Sequence, residues 1–250
     1  MPASRPERGD GPANRRRPAL HVTLFGEFEL TEDGVPRHLG KGARRIVTLL
    51  ALNRGGLSRA RAAAHLTPHL EPESARGSLR MELRRLRDRA PAELVEDDGT
   101  TLRLAPHVTV DAEEVEALVA RVARQPDLLP DQAVTELLTR ELLPDWDDDW
   151  LVPERARFRD RGLNALDEGA RALAVHGDRD AALATVHRVL HSDRLRESTV
   201  AVLIEILFEQ GNQAQVASTY LDFRKHLKSE LGIEPSPQLR ALVSRLLEGR

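Results

Sequence analysis

Ala75–Ala90 reads ARGSLRMELRRLRDRA, and its two interleaved periodicities decide the fold. Leu79, Leu83, Leu86 and Ala90 recur at i, i+4, i+7 and i+11, one apolar stripe of a helix. Arg76, Arg80, Arg84 and Arg87 repeat on a neighbouring stripe, likewise three or four residues apart, and Arg85 and Arg89 add charge. Such a helix docks on a core by its leucines and presents guanidinium groups outward. Those groups match phosphate oxygens and guanine edges.

The flanks place this helix in a module. Pro91 ends it, and LVEDD, a turn at Gly99 and TLRLA make a hairpin. Upstream, His21–Leu39 carries short strand signals: VTLF, EFEL and the return Val35–Leu39 after the Glu32-Asp33-Gly34 turn. A first helix spans Gly42–Asn53 and stops at Gly55-Gly56. Ser58 caps a second helix over Arg59–Leu66, Pro68 and Pro72 set the next turn, and the arginine helix starts at Glu73 or Ser74. Sheet, three helices and hairpin in that order are a winged helix, whose last helix enters the major groove.

Arg80, Met81 and Arg84 face away from the leucines and read as base contacts, Arg by its fork on guanine and Met81 on a thymine methyl. Arg76, Ser78, Arg85 and Arg87 suit phosphates. An internal ion pair such as Glu82–Arg85 is the bland alternative for part of this stripe. Ser58, Arg59 and Arg61 open the supporting helix, whose free amides bind a phosphate. On the wing, Thr100, Thr101 and Arg103 reach toward DNA, against the repulsion of Glu96, Asp97 and Asp98.

Charge is divided along the 250 residues. The net is −3, yet Met1–Ala105 holds 19 Lys+Arg against 14 Asp+Glu, and Lys41–Ala90 holds 12 against 4. The remainder holds 18 against 26. A basic third beside an acidic remainder suggests a polyanion-binding module joined to something else. Residues 1–19 read as a disordered basic arm including Arg15, Arg16 and Arg17. No secretory signal and no apolar run of about 18 residues is present, so a cytoplasmic protein without a membrane partner is expected. There is no cysteine. Asp145, Asp147, Asp148 and Asp149 lack the pattern of a calcium loop and read as a solvated loop, with Trp146 and Trp150 on the next helix. His65 and His69 have ligand spacing, but Pro68 interrupts them. No metal, no cofactor and no enzyme activity are expected.

After Asp111 the pattern is helical: Asp111–Arg124, capped by Asp111, then Asp131–Arg140, then long amphipathic helices from Pro153. His176-Gly177-Asp178 and Gln210-Gly211-Asn212 precede similar helices, and the two glycines lie 34 residues apart, the tetratricopeptide period. Ala181, Ala182, Ala184, Ala214, Ala217 and Ser218 are the small residues at the helix crossings. The expected class is an α+β N-terminal winged helix over 20–106, followed by an all-α tetratricopeptide-like domain over 107–250.

HVTLFGEFELTEDGVPRHL, ARGSLRMELRRLRD, ELLPDWDDDWLVPERARFR and the long C-terminal stretch ending Glu230-Leu231-Gly232-Ile233-Glu234-Pro235-Ser236-Pro237 together resemble a known family. It is the small antibiotic-regulatory activators, which join an OmpR-type winged helix to a bacterial transcriptional activator domain. The resemblance implies a bacterial DNA-binding activator. Two copies would sit on repeated promoter half-sites about one helical turn apart, with RNA polymerase holoenzyme as a further partner. The phosphate-binding loop of larger relatives is absent, so a short, stand-alone form is expected. The competing reading is an interaction scaffold whose repeats bind a protein and whose N-terminal domain binds DNA weakly.

Overall fold

The structure is a computed structural model that describes residues 17–91 and 93–248. Arg15 and Arg16 of the basic arm lie outside these residues; Arg17 Nε is 3.6 Å from a Glu93 carboxylate oxygen. The chain forms two compact units that interleave. One holds the chain through Val22 with Glu29–Thr109, the other Thr23–Phe28 with Val110 onward.

The first unit runs β1 (Leu20–Thr23), β2 (Glu29–Glu32), β3 (Val35–Pro36), α1 (Lys41–Ala51), β4 (Leu57–Ser58), α2 (Arg59–Leu66), α3 (Pro72–Arg89), β5 (Val95–Asp97), β6 (Thr101–Leu104) and β7 (Thr109–Val110). Its four-stranded sheet has the order β3-β2-β1-β7. β3 is shorter than the expected Val35–Leu39 return, although the Arg37 amide still donates to the Leu30 carbonyl of β2 at 2.7 Å. The second sheet, β4-β6-β5, is the wing. Its outer pair sets Val95 opposite Leu104, Glu96 opposite Arg103 and Asp97 opposite Leu102. β4, which sequence patterning did not reveal, pairs Leu57 with Leu102 and Ser58 with Thr101. Gly56 makes this approach possible. Its φ is +86°, and a Cβ there would stand 3.2 Å from the Leu102 carbonyl oxygen.

α3 begins one residue before the expected start, with Pro72 in its first turn, where the missing N–H costs nothing. Its buried stripe is Ala75, Leu79, Leu83 and Leu86. Ala90 leaves the stripe: it is the C-cap with extended backbone, as expected of a residue before proline. These leucines share a core with Ile46, Val47 and Leu50 of α1 and Leu102 and Leu104 of the wing, all buried. Each leucine removed from water contributes about 1.5–3 kcal/mol.

The second unit comprises α4 (Asp111–Val122), α5 (Gln132–Thr139), α6 (Val152–Val175), α7 (Arg179–Ser192), α8 (Glu197–Glu209), α9 (Gln213–Leu231) and α10 (Pro237–Glu248). Asp111 does not cap its own helix. Its buried carboxylate accepts the amides of Leu24, at 2.8 and 2.9 Å, and of Phe25, at 2.9 Å, and so ties Thr23–Phe28 into this unit. Phe25 meets Phe158 edge to face at 5.3 Å. Phe28 lies beside Trp146 with ring centroids 6.0 Å apart, a contact between the acidic loop and this returning hexapeptide. Trp150 donates its indole N–H to Asp148 at 3.2 Å. Arg155 of α6 donates to the carbonyls of Leu142, Leu143 and Trp146 and thereby shapes the acidic loop.

The tetratricopeptide-like hairpins repeat in detail. Gly177 at φ +93° and Gly211 at φ +74° end α6 and α8 with the same bonds: Gly177 N to Ala174 O and Asp178 N to Leu173 O, then Gly211 N to Phe208 O and Asn212 N to Leu207 O. Asp178 and Asn212 then cap α7 and α9. Residues 34 apart are buried in pairs: Leu166 with Val200, Ala170 with Ile204, Leu173 with Leu207, Ala182 with Val216, Val189 with Phe223. Of the six small residues expected at the crossings, Ala182 is fully buried, whereas Ala184, Ala214 and Ser218 are exposed. Close approach occurs elsewhere: a Cβ on Gly162 of α6 would stand 2.1 Å from the Leu138 carbonyl oxygen of α5.

Candidate nucleic-acid interface

The sequence-derived site residues gather on three elements of the first unit. Arg76, Ser78, Arg80, Met81, Arg84, Arg85 and Arg87 stand on α3, Ser58, Arg59 and Arg61 at the β4–α2 junction, and Thr101 and Arg103 on β6. With about 100° of turn per residue, Met81 and Arg84 lie nearly opposite the leucine stripe. Arg76, Arg80 and Arg87 line one flank, and Ser78, Glu82 and Arg85 the other. Met81 is 51% exposed, unusual for an apolar side chain on a helix whose other face is buried.

Ion pairing divides the arginines. Arg61, Arg76, Arg80, Arg84 and Arg89 are exposed, and among the described residues none of the five side chains has a hydrogen-bond or ion-pair partner. Arg85 pairs with Glu82 at 2.5 Å. Arg87 Nη2 and Arg59 Nη1 both donate to Oδ2 of Asp97, at 2.7 and 2.6 Å. Arg103 stands 3.8 Å from Glu96 and 3.6 Å from Asp98.

The wing carboxylates are well held. Asp97 is 8% exposed at its side chain. Burial pushes its carboxyl up, but the Arg59 hydrogen bond, the Gly99 amide and the charges of Arg59 and Arg87 outweigh this and keep it below the ordinary range. Asp98 accepts the Thr100 hydroxyl at 2.7 Å and the amides of Thr101 and Thr100, which draw its carboxyl down to about 2. The hairpin tip is thus a turn closed around a carboxylate, with Gly99 at φ +90°.

The start of α2 is largely occupied. Ser58 Oγ accepts the Arg61 amide at 3.3 Å, and the Arg59 amide donates to the Thr100 carbonyl at 2.9 Å. Of the two amides, that of Arg61 is taken by the Ser58 cap and that of Arg59 by the wing, since β4 runs straight into α2. Ser78 is half-buried and lines a recess of about 120 Å³ with Gly42, Arg45 and Glu82. Glu82 lies over the first turn of α1, which has no acidic residue of its own. A Cβ on Gly42 would fall 2.1 Å from the Glu82 carboxylate. That carboxylate complements the positive end of α1 while it neutralises Arg85.

Sequence reasoning treated Glu96, Asp97 and Asp98 only as repulsion toward DNA. The structure makes Asp97 the point that joins wing, α2 and α3. No local spacing announces this pairing. Among the described residues no group of three or more His, Cys, Asp or Glu side chains is placed to hold a metal ion. No described helix is long and apolar enough to cross a membrane.

Comparison with known proteins agrees with this architecture. Residues 110–247 match the family described as the bacterial transcriptional activator domain. The regulatory protein AfsR of Streptomyces coelicolor is 29% identical over 252 residues, an alignment that covers 92% of this chain and 24% of AfsR. The transcriptional regulator RedD of the same organism is 30% identical over 92 residues, covering 37% of this chain and 26% of RedD. The chain thus spans about a quarter of the length of these curated relatives. Among solved structures, Mycobacterium tuberculosis EmbR in complex with a low-affinity phosphopeptide aligns with a TM-score of 0.71 at 21% identity. That alignment covers 93% of this chain and 66% of EmbR and supports the fold: a winged helix followed by tetratricopeptide-like helices.

Proposed function

Because this chain belongs to the bacterial transcriptional activator domain family, we propose that it regulates transcription by binding promoter DNA through α3 and acts as an activator. One observation carries the reading: Met81 and Arg84 are exposed on α3 opposite its buried leucines with Arg80 on the adjoining flank, and neither arginine has a partner among the described residues. A cation left unpaired beside several paired ones is available to an external anion. Arg80 and Arg84 would take guanine edges and Met81 a thymine methyl, while Arg76 and Arg61 hold phosphates. Arg85, Arg87, Arg59 and Arg103 are already compensated and contribute less than their number suggests. Ser58, Ser78 and Thr101 support the elements that carry the contacts.

The module over 20–106 would read DNA, and 107–250 would supply contacts to a second copy and to RNA polymerase holoenzyme. Two copies on repeated half-sites about one helical turn apart fit a winged helix of this size. The partner assignments rest on family membership, and the cytoplasm is where they would operate. A gel-shift series on upstream DNA with rising salt and competitor tests the reading. Retention of one sequence over competitor at increasing salt supports it. Weak binding without preference at every salt overturns it in favour of a protein-interaction scaffold.

A further inference from the structure

We propose that Glu96, Asp97 and Asp98 at the tip of the wing act as a specificity filter: they neutralise the arginines that would add sequence-blind phosphate contacts and leave readout to unpaired Arg80 and Arg84. The inference rests on the DNA-binding reading and adds a role for residues that reading leaves out. Three arginines, Arg59, Arg87 and Arg103, meet three carboxylates within 2.6 to 3.8 Å. Where sequence counts three cations near the duplex, the folded surface presents none in excess. Arg87 is 66% exposed at its side chain, so it is open to solvent and phosphate but already paired.

The chemistry favours restraint over mere bracing. Asp97 uses one oxygen for both guanidinium groups and the other for the Gly99 amide at 3.0 Å. That arrangement holds both guanidinium groups on the wing carboxylate. Each phosphate a protein neutralises steepens the salt dependence of binding by about 0.9 in log–log slope. Contacts of that kind strengthen binding to every sequence alike and erode discrimination. A carboxylate set among them removes that contribution and leaves the outward face of α3 untouched. Asp97 and Asp98 titrate below the ordinary range, so the filter stays charged at physiological pH.

The test uses the full chain and a random-sequence duplex of about 30 base pairs across a salt series. Asp97→Asn frees Arg59 and Arg87. It should tighten random-duplex binding several-fold at moderate salt and steepen the slope by about 0.9 to 1.8, for one or two new phosphates. Glu96→Gln leaves the fold alone, since its one pairing is the 3.8 Å approach to Arg103; Asp98 still stands 3.6 Å from that arginine, so the slope should steepen, by less than about 0.9. Folded variants of both kinds that bind the random duplex no more tightly and with the wild-type slope overturn the filter. If Asp97→Asn unfolds the unit, Glu96→Gln alone decides by the same criterion. A wild-type chain that binds no duplex at any salt fails the DNA-binding reading itself. Wild-type binding with unresponsive variants fails only the filter.

Discussion

The arginines that brace the helical unit contrast with those on the outward face of α3. In the helical unit several are tied down: Arg155 to three backbone carbonyls, Arg157 to Glu116 and Glu154, Arg171 to Glu205, and Arg196 to Asp167. On α3, Arg76, Arg80 and Arg84 protrude without partners among the described residues. Between these extremes lie Arg59, Arg87 and Arg103, which sit on the candidate interface but are paired with the wing. Local sequence does not separate the three classes, because residue type alone does not tell an arginine with a distant partner from one without. Pairing together with position does: a guanidinium held by a carboxylate is a staple, and an unheld one on the outward face of α3 is a probe.

The sharpest way to break the contrast is at the most buried staple. Asp167 is 3% exposed and accepts the Thr199 hydroxyl at 2.6 Å, the Ser198 hydroxyl at 2.7 Å and Arg196 Nε at 3.1 Å. Asp167→Ala leaves a guanidinium and two hydroxyls uncompensated and should cost about 3–5 kcal/mol of stability. Chemical denaturation measures it, and a loss within error of a surface mutation would contradict the staple assignment. The second effect belongs to a probe. Arg84→Ala should weaken binding to the preferred DNA by about 1–3 kcal/mol with no change in denaturation midpoint. An equal loss on random DNA would show that Arg84 touches phosphate, not a base.

A smaller effect comes from a half-exposed staple. Arg171 and Glu205 occupy equivalent positions of the two repeats and meet at 3.0 Å. Arg171→Ala should cost less than about 1 kcal/mol, since solvent screens the pair. A loss as large as that of Asp167→Ala would erase the distinction between buried and exposed pairing. The mildest expectation concerns acid. The Asp98 carboxyl lies below its ordinary value, so its contribution is complete above pH 3.8 and fades as pH falls from 3.8 toward about 2. Exchange protection of the Thr100 and Thr101 amides, followed by NMR through this range, should fall in step. Protection that is lost near neutral pH would contradict the assignment.

Much of this was readable in advance. The leucine spacing of α3, the proline at its start and the proline beyond its end predict a helix because they act within one or two turns. The glycines at 177 and 211 predict matching hairpins because only a residue tolerant of positive φ closes that turn cheaply. The terminal Glu230–Pro237 run is equally local. Gly232 ends α9 at φ +71°, Glu234 reaches back to Arg224 at 2.6 Å, and Ser236 caps α10 through the Leu239 amide. The candidate site was legible as a list of arginines, but its division into paired and free was not.

Periodicity, turn residues and charge asymmetry, which act between near neighbours, thus determined the order of elements and the face of α3 that turns to solvent. Only the three-dimensional packing decided that Thr23–Phe28 closes on Asp111 in the helical unit, and that Asp97 gathers Arg59 and Arg87. Both depend on groups far apart in the chain meeting at hydrogen-bond distance. Whether a charge finds a partner is set by that geometry, which residue type and spacing do not encode.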